Sequence, residues 1–443
     1  MGKLLERLAG FFKFKELGTN FKTEILAGIA TFLTMAYIIV VNPGILAATG
    51  LPFAGVLFAT ILVASLSSIA MGLFANLPFA LAPGMGLNAF VAFGMVLGMG
   101  MSWQTALGAV FISGIIFILI SLPKINLREK IVKAVPKPLR LGVAAGIGLF
   151  LAFIGLVDAG IIIANPATLV GFAGLTPAFV IFLLGLVFTG FLLVKKVKGA
   201  LSLGILFSSV LALLASVLGI GAAVTIPTAI FALPSLEVFF QLNILGALSI
   251  GMIAPIFSLL FTDMFDSIST FLGVSETAGL IDEEGNPKNV GKALLVDAAS
   301  TTMSGLFGSS PGTTYIESAA GVEEGGRSGL TAVVAGLLFL PFMFLSPLLS
   351  FIPMVAVAPV LVLVGLFMMR PALKIDWSNF SEAIPAFIAM VAIPLTYSIT
   401  QGIVFGFLAH ILLKVVTGKA REISPTLWVI GALCIVMLLL TIL

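Results

Sequence analysis

The stretch LVASLSSIAMGLFANLP, residues 62–78, returns 233 positions later as LVDAASTTMSGLFGSSP, residues 295–311. Leu62, Val63, Ser67, Gly72, Leu73, Phe74 and Pro78 meet Leu295, Val296, Ser300, Gly305, Leu306, Phe307 and Pro311 without a gap. In so apolar a chain Leu and Val coincide cheaply, so the weight falls on the Gly-Leu-Phe triplet and the proline. Beyond each matched proline the sequence opposes a continuous helix. One copy has Pro83, Gly84 and Gly86 before Asn88, and the other has Gly312, Thr313, Thr314 and Tyr315 before Glu317. Proline brings no helix donor, and glycine and β-branched residues weaken a helix. Each copy is expected to form a short extended piece followed by a half-helix with unpaired N–H groups at its start.

The surrounding chain is built for lipid. Of 443 residues 60% are hydrophobic and 9% charged, and the mean hydropathy is +1.25. A water-soluble chain of this length needs far more polar surface. Apolar runs long enough to cross or nearly cross a hydrocarbon core of about 30 Å recur from end to end. Spans are predicted near 25–41, 54–75, 78–98, 103–122, 139–157, 176–195, 200–219, 249–274, 289–308, 310–322, 328–346, 353–369, 383–398 and 402–417. With the N-terminus inside, all 22 Lys and Arg fall on one side, as the positive-inside rule requires. They occupy the tail (Lys3 to Lys22), the fourth connection (Lys124, Arg128, Lys130, Lys133, Lys137, Arg140) and the even connections that follow, Lys288 in the eighth among them, to the C-terminal end. The segment 426–443 is a fifteenth crossing or an interfacial tail. Residues 1–24 form a basic amphipathic tail without a signal-peptide cleavage site. The single cysteine, Cys434, excludes an intramolecular disulfide and a thiolate metal cluster.

The matched stretches lie in the second and ninth spans, seven apart. Two seven-span halves are inverted, because seven is odd, and inverted repeats characterise secondary transporters whose substrate sits near the midplane where broken helices meet. The expected fold is an all-α polytopic membrane protein of fourteen spans in a 7+7 inverted repeat, with the third and tenth spans broken.

Of 19 Asp and Glu, all but Asp263, Asp266, Asp297 and Glu317 are placed in tails, connections or linkers. An intramembrane carboxylate costs several kcal/mol unless protonated or hydrogen-bonded, so each is a functional candidate. Asp297, beside Ser300 and Thr301, is read chiefly as a hydrogen bond between helices. Asp263 and Asp266 are three apart and share a helix face; two such carboxylates rarely both ionise in low dielectric, so one is expected to hold a proton. Around them stand Asn88, Thr34, Thr313, Thr314 and Tyr315, with no cation at that depth. That set disfavours an anion and suits a planar heterocycle with N–H donors and ring acceptors.

At these residues the chain resembles the nucleobase–cation symporter family, and within it the AzgA-like hypoxanthine–adenine–guanine permeases. The matching stretches are Thr31 to Tyr37 (TFLTMAY), Ala82 to Asn88 (APGMGLN), Phe261 to Ser267 (FTDMFDS) and Thr313 to Gly321 (TTYIESAAG). They spread over both halves, and their combination is specific. The resemblance implies a core domain (25–122 and 249–346) and a gate domain (139–219 and 353–417), with 1–24 and 426–443 outside both. It implies that Asp263 and Glu317 bond the base from opposite sides, that Gly86 and Asn88 shape the pocket, and that Tyr315 precedes the glutamate. Asp266 matches a second acid of this branch, so proton coupling falls to Asp266, Asp263 and Glu317; Thr34 completes the substrate set. Ile268 and Ser269 depart from the family run after Asp266, which bears on base preference.

The implied activity is import of hypoxanthine, guanine or adenine by proton symport, elevator-like, in the inner membrane. No cofactor beyond the coupling ion is expected, no nucleic acid partner, and a homodimer is an option. Uracil or xanthine transport and an anion transporter or channel of the same fold are the alternatives. An intramembrane protease built on Gly308-Ser309-Ser310-Pro311 and His410 fits fourteen spans poorly. The small-residue faces Gly142 to Gly148 and Pro353 to Pro359 are expected to line the surface on which core slides against gate.

Overall fold

The computed structural model describes residues 2–122, 135–220, 224, 229–281 and 289–442; Lys124, Arg128, Lys130, Lys133 and Lys288 of the charge assignment lie outside them. Helix α1 (Phe21–Met35), capped by Asn20 through the Thr23 N–H, breaks at Ala36 and Tyr37 and continues as α2 (Ile38–Ala47). Helix α3 (Phe53–Ala70) runs into a π-helical turn, Met71–Ala75. The third segment is strand β1 (Leu81–Pro83) and half-helix α4 (Met85–Ala89), prolonged by π-turns over Phe90–Gly98. There follow α5 (Trp103–Ser121), α6 (Lys137–Asp158), α7 (Pro177–Val194), α8 (Ala200–Val217), α9 (Ile253–Ala278) and α10 (Val290–Phe307). Strand β2 (Gly312–Thr314) and half-helix α11 (Ser318–Glu323) make the tenth segment. The chain closes with α12 (Gly329–Phe339), α13 (Met354–Met369), α14 (Phe380–Thr396), α15 (Ile399–Val416) and α16 (Pro425–Ile442).

Nine helices among the described residues are long and apolar enough to cross a bilayer. Shorter apolar helices, Met85–Gly98, Gly329–Phe344, Phe380–Leu395 and Pro425–Leu439, accompany them. Large apolar side chains on α7, such as Val187, Phe191 and Val194, point outward, which only lipid makes favourable over so wide a face. This is a multi-pass membrane protein.

The repeat is visible in which residues touch. Strands β1 and β2 pair antiparallel, with Leu81 opposite Thr314, Ala82 opposite Thr313 and Pro83 opposite Gly312. Leu81 and Thr314 are the same position of the repeat, 233 apart. So are Ser67 and Ser300, whose hydroxyls hydrogen-bond at 2.7 Å. A residue that meets its own repeat partner lies on the two-fold axis, so the inverted halves cross at these two points. Packing repeats as well: α3 closes on α12 where Gly72 faces Gly329, and α10 closes on α5 where Gly305 faces Phe111. Both related helices end on left-handed residues, Asn76 (φ 51) and Gly308 (φ 92). At Gly308 the conformation and a Val238 Cβ only 2.6 Å from any added Cβ both require glycine.

Two sets of helices result. Helices α1–α5 pack with α9–α12, while α6, α13, α14 and α15 pack among themselves with α7 and α8 on α13. Between the sets stand Gly86 against Ile147, the Phe261 and Phe407 rings at 5.2 Å, and the Arg140 guanidinium 5.4 Å over the Phe265 ring. An ion pair, Lys198 to Glu324 at 2.7 Å, joins them near the surface. Helix α16 lies on α15, burying Leu427, Ile430, Cys434 and Met437.

Two expectations need correction. Glu24, placed among the tail acids, is fully buried in α1. Its carboxylate accepts from the backbone N–H groups of Arg327 (2.9 Å) and Ser328 (3.2 Å) and from the hydroxyls of Thr331 (2.6 Å) and Thr19 (2.7 Å), an anion at the N-terminus of α12 where the helix dipole favours it. The glycines of α6 do not line the surface between the sets. Gly142 faces Ala386, Gly148 faces Gly365, and a Cβ on Gly146 would stand 2.9 Å from the Met390 Cα and carbonyl oxygen of α14. These glycines let α6 close on its own neighbours. Gly146→Leu should therefore cost about 3 kcal/mol of stability as an overpacked core. The melting temperature in detergent should fall, and ligand binding should decline only in step with the folded fraction.

Candidate functional site

Backbone that is neither helix nor closed sheet inside a bilayer must find partners in the protein. At β1 the accounting closes. The Ala80 N–H goes to Ser318 Oγ at 3.0 Å, Leu81 N–H to Ser68 Oγ at 2.9 Å, and Gly84 N–H to the Pro311 carbonyl at 2.8 Å. Tyr315 N–H returns to the Ala80 carbonyl at 3.0 Å. The two strands thus fix each other, and the half-helices α4 and α11 leave them toward the space beside α9.

Glu317 stands at the head of α11, half-buried. Its Oε1 accepts the Tyr37 hydroxyl at 2.6 Å, from the break in the first span. Thr34, one turn earlier, donates within its own helix to the Thr31 carbonyl at 2.8 Å and reaches only the Glu317 backbone oxygen, at 3.4 Å. On α9, Asp263 is buried; its Oδ2 accepts the Thr301 hydroxyl at 2.5 Å, and its Oδ1 is buried with no partner. Asp266 is half-buried, one turn along α9 from Asp263. Asp297 is fully buried with both oxygens occupied, by Ser267 at 2.6 Å and Thr314 at 2.9 Å.

Asn88 is fully buried on α4, its Oδ1 without a partner and its Nδ2 only 3.8 Å from the Met85 sulfur. Gly86 on the same half-helix carries the Ile147 contact, so it shapes the seam between the helix sets. Tyr315 is buried and its hydroxyl donates to the Pro83 carbonyl. That bond locks β2 to β1, leaving only the ring to meet a ligand. Among the described residues no Lys or Arg pairs with any of the four acids; the Arg140 guanidinium lies over the Phe265 ring.

The structure therefore brings Asp263, Asp266, Glu317 and Asn88 to the broken helices and keeps Asp297 as the tie between α9, α10 and β2. Asp263 and Asp266 stand one helical turn apart on α9, and Thr301 of α10 reaches the first of them. Sequence reasoning missed Tyr37 and Thr301 as partners of Glu317 and Asp263. It also missed the buried network in which Asn42 donates to Thr60 (2.7 Å) and Ser309 (3.0 Å) and accepts from Ser310 (3.0 Å). That network occupies the Ser310 hydroxyl with an amide. His410, on α15 of the other helix set, is not its partner.

Comparison with known proteins agrees. The model of the permease family Xan_ur_permease matches residues 22–405. The chain is 40% identical over 433 residues to the adenine permease AdeP of Escherichia coli, covering 98% of this chain and 95% of that protein. It is 42% identical over 432 residues to the guanine/hypoxanthine permease PbuG of Bacillus subtilis, covering 94% and 96%. Among solved structures, the transmembrane domain of a cyanobacterium bicarbonate transporter, BicA, matches with a TM-score of 0.65 at 17% identity, over 87% of this chain and 97% of that one. At that identity the likeness is one of fold alone.

Because Asp297 holds three elements together, Asp297→Asn should lower stability by about 2 kcal/mol, as a buried hydrogen-bonded group that loses a partner does. Thermal unfolding in detergent measures it. Ser267→Ala added to that variant should cost little more, since its partner is already weakened.

Proposed function

This chain belongs to the permease family Xan_ur_permease, so it is a transporter and not an enzyme, and we propose that it imports a purine nucleobase, hypoxanthine, guanine or adenine, together with a proton. The observation that carries the reading is the pair of ligand-facing acids. Asp263 keeps one buried oxygen without a donor, and Glu317 keeps one beyond its bond to Tyr37. A neutral heterocycle brings the N–H groups such acceptors require, whereas an anion meets only repulsion there. Relatives over the full length named for adenine and for guanine/hypoxanthine favour the purine class.

Asp266, without a hydrogen-bonded partner among the described residues and beside Glu317, is suited to take up the coupling proton. Besides the packing of Gly86 on Ile147, the two helix sets meet through ring contacts, a cation–ring contact and an exposed ion pair, bonds of about 1 kcal/mol each. Such a seam suits an elevator in which α1–α5 and α9–α12, as core, move against α6–α8 and α13–α15, as gate, with access alternating across the inner membrane and the N-terminus cytoplasmic.

Glu317→Gln and Asp263→Asn should each lower uptake by about 100-fold, the upper range for a lost charge-assisted hydrogen bond, with the protein still folded in the membrane. Asp266→Asn should weaken proton dependence more than binding. Labelled hypoxanthine uptake into proteoliposomes, competed by a panel of bases with and without protonophore, measures all three. Normal transport by either of the first two variants would displace the site, and uptake indifferent to protonophore would remove the proton from the reading.

A further inference from the structure

The two ligand-facing acids share a pattern that their sequence motifs do not show. Each carboxylate has one oxygen capped by a hydroxyl from a different element. Thr301 of α10 donates to Asp263 Oδ2, and Oδ1 is buried without a partner. Tyr37, from the break between α1 and α2, donates to Glu317 Oε1. Tyr37 is 1% exposed, so no bulk water competes for its proton, and its ring is held by the core. A carboxylate at the end of a side chain turns easily about its last bond and offers two near-equivalent oxygens. A buried O–H fixed on one of them removes both freedoms.

We infer that Tyr37 is a positioning residue: its hydroxyl fixes the carboxylate plane of Glu317, so that one oxygen, in one direction, meets the N–H edge of the base. The inference rests on the reading that Glu317 binds the base. With Thr301 acting likewise on Asp263, the site presents one acceptor from each of two opposite elements. A ligand is then selected by where its two N–H groups stand and not merely by having them. Three groups face Glu317, namely Tyr37 from the first span, Tyr315 from its own segment and Asp266 from α9. Of these only Tyr37 hydrogen-bonds its side chain, since Tyr315 is committed to Pro83.

The test compares wild type with Tyr37→Phe in proteoliposomes, using labelled hypoxanthine, guanine and adenine across a range of pH. Loss of the hydroxyl should raise KM about tenfold, the effect of one hydrogen bond to a charged group, with maximal rate within about twofold. Discrimination among the three bases should narrow, and the pH profile of uptake should be displaced. Wild-type KM, selectivity and pH profile in Tyr37→Phe would overturn the inference while leaving the proposed function intact. A uniform fall in maximal rate at every pH with unchanged KM would show a packing role and also overturn it. Absence of base uptake by the wild type would instead remove the proposed function. Infrared spectroscopy covers a variant that fails to fold. The chain has three tyrosines, so in ring-labelled wild-type protein the C–O band of Tyr37 can be assigned with Tyr315→Phe and Tyr397→Phe. That band should shift on adding hypoxanthine and again in Glu317→Gln; a band that moves in neither case refutes the link.

Discussion

Six residues of buried main chain set the terms for the rest of this molecule. Leu81–Pro83 and Gly312–Thr314 are extended and buried, and hydrocarbon offers peptide groups no partners, so each strand is tolerable only beside the other. Side chains complete what the short ladder leaves open, Ser68 and Ser318 chief among them. Once the strands are paired, the half-helices must start where they do. Both half-helices then pack on the same helix, α9.

That arrangement divides the labour between two kinds of packing. Within each helix set, small residues bring backbones into contact, as at Gly72 with Gly329 or Gly148 with Gly365, and such surfaces do not slide without loss. Between the sets, beside the packing of Gly86 on Ile147, stand ring edges, a guanidinium on a phenyl face and an exposed ion pair. Contacts of this kind are individually weak and easily replaced by others of the same sort.

The sequence made the architecture legible because the physics that sets it is local. Hydropathy marks a chain built for lipid, and a run such as Pro83-Gly84 forbids a helix wherever it stands. The four acids were legible for the same reason, as charges at a depth where no charge is cheap. What escaped depends on who stands opposite. Tyr37 is one hydrophobic aromatic among many until Glu317 is found 280 positions away against its hydroxyl. Glu24 belongs to the tail by position and to the core by partners, all but one of which come from residues 327–331. The glycines of α6 announced close packing correctly but not against what, since a surface that slides and one that is glued have the same composition.

The crossing of the halves on the Ser67–Ser300 and Leu81–Thr314 contacts has a consequence for how the protein is made. When Leu81–Pro83 enters the membrane its hydrogen-bonding partner has not been synthesised. At ribosomal rates the 231 residues from Leu81 to Gly312 take roughly 10–50 s. For that interval the nascent first half carries an unpaired strand in lipid or in the insertion machinery, where each bare peptide group is costly. The first half is therefore no independent folding unit. Biogenesis must either shelter it until the second repeat arrives or let the third segment wait outside the hydrocarbon, which makes the arrival of Gly312–Thr314 the committing event in assembly.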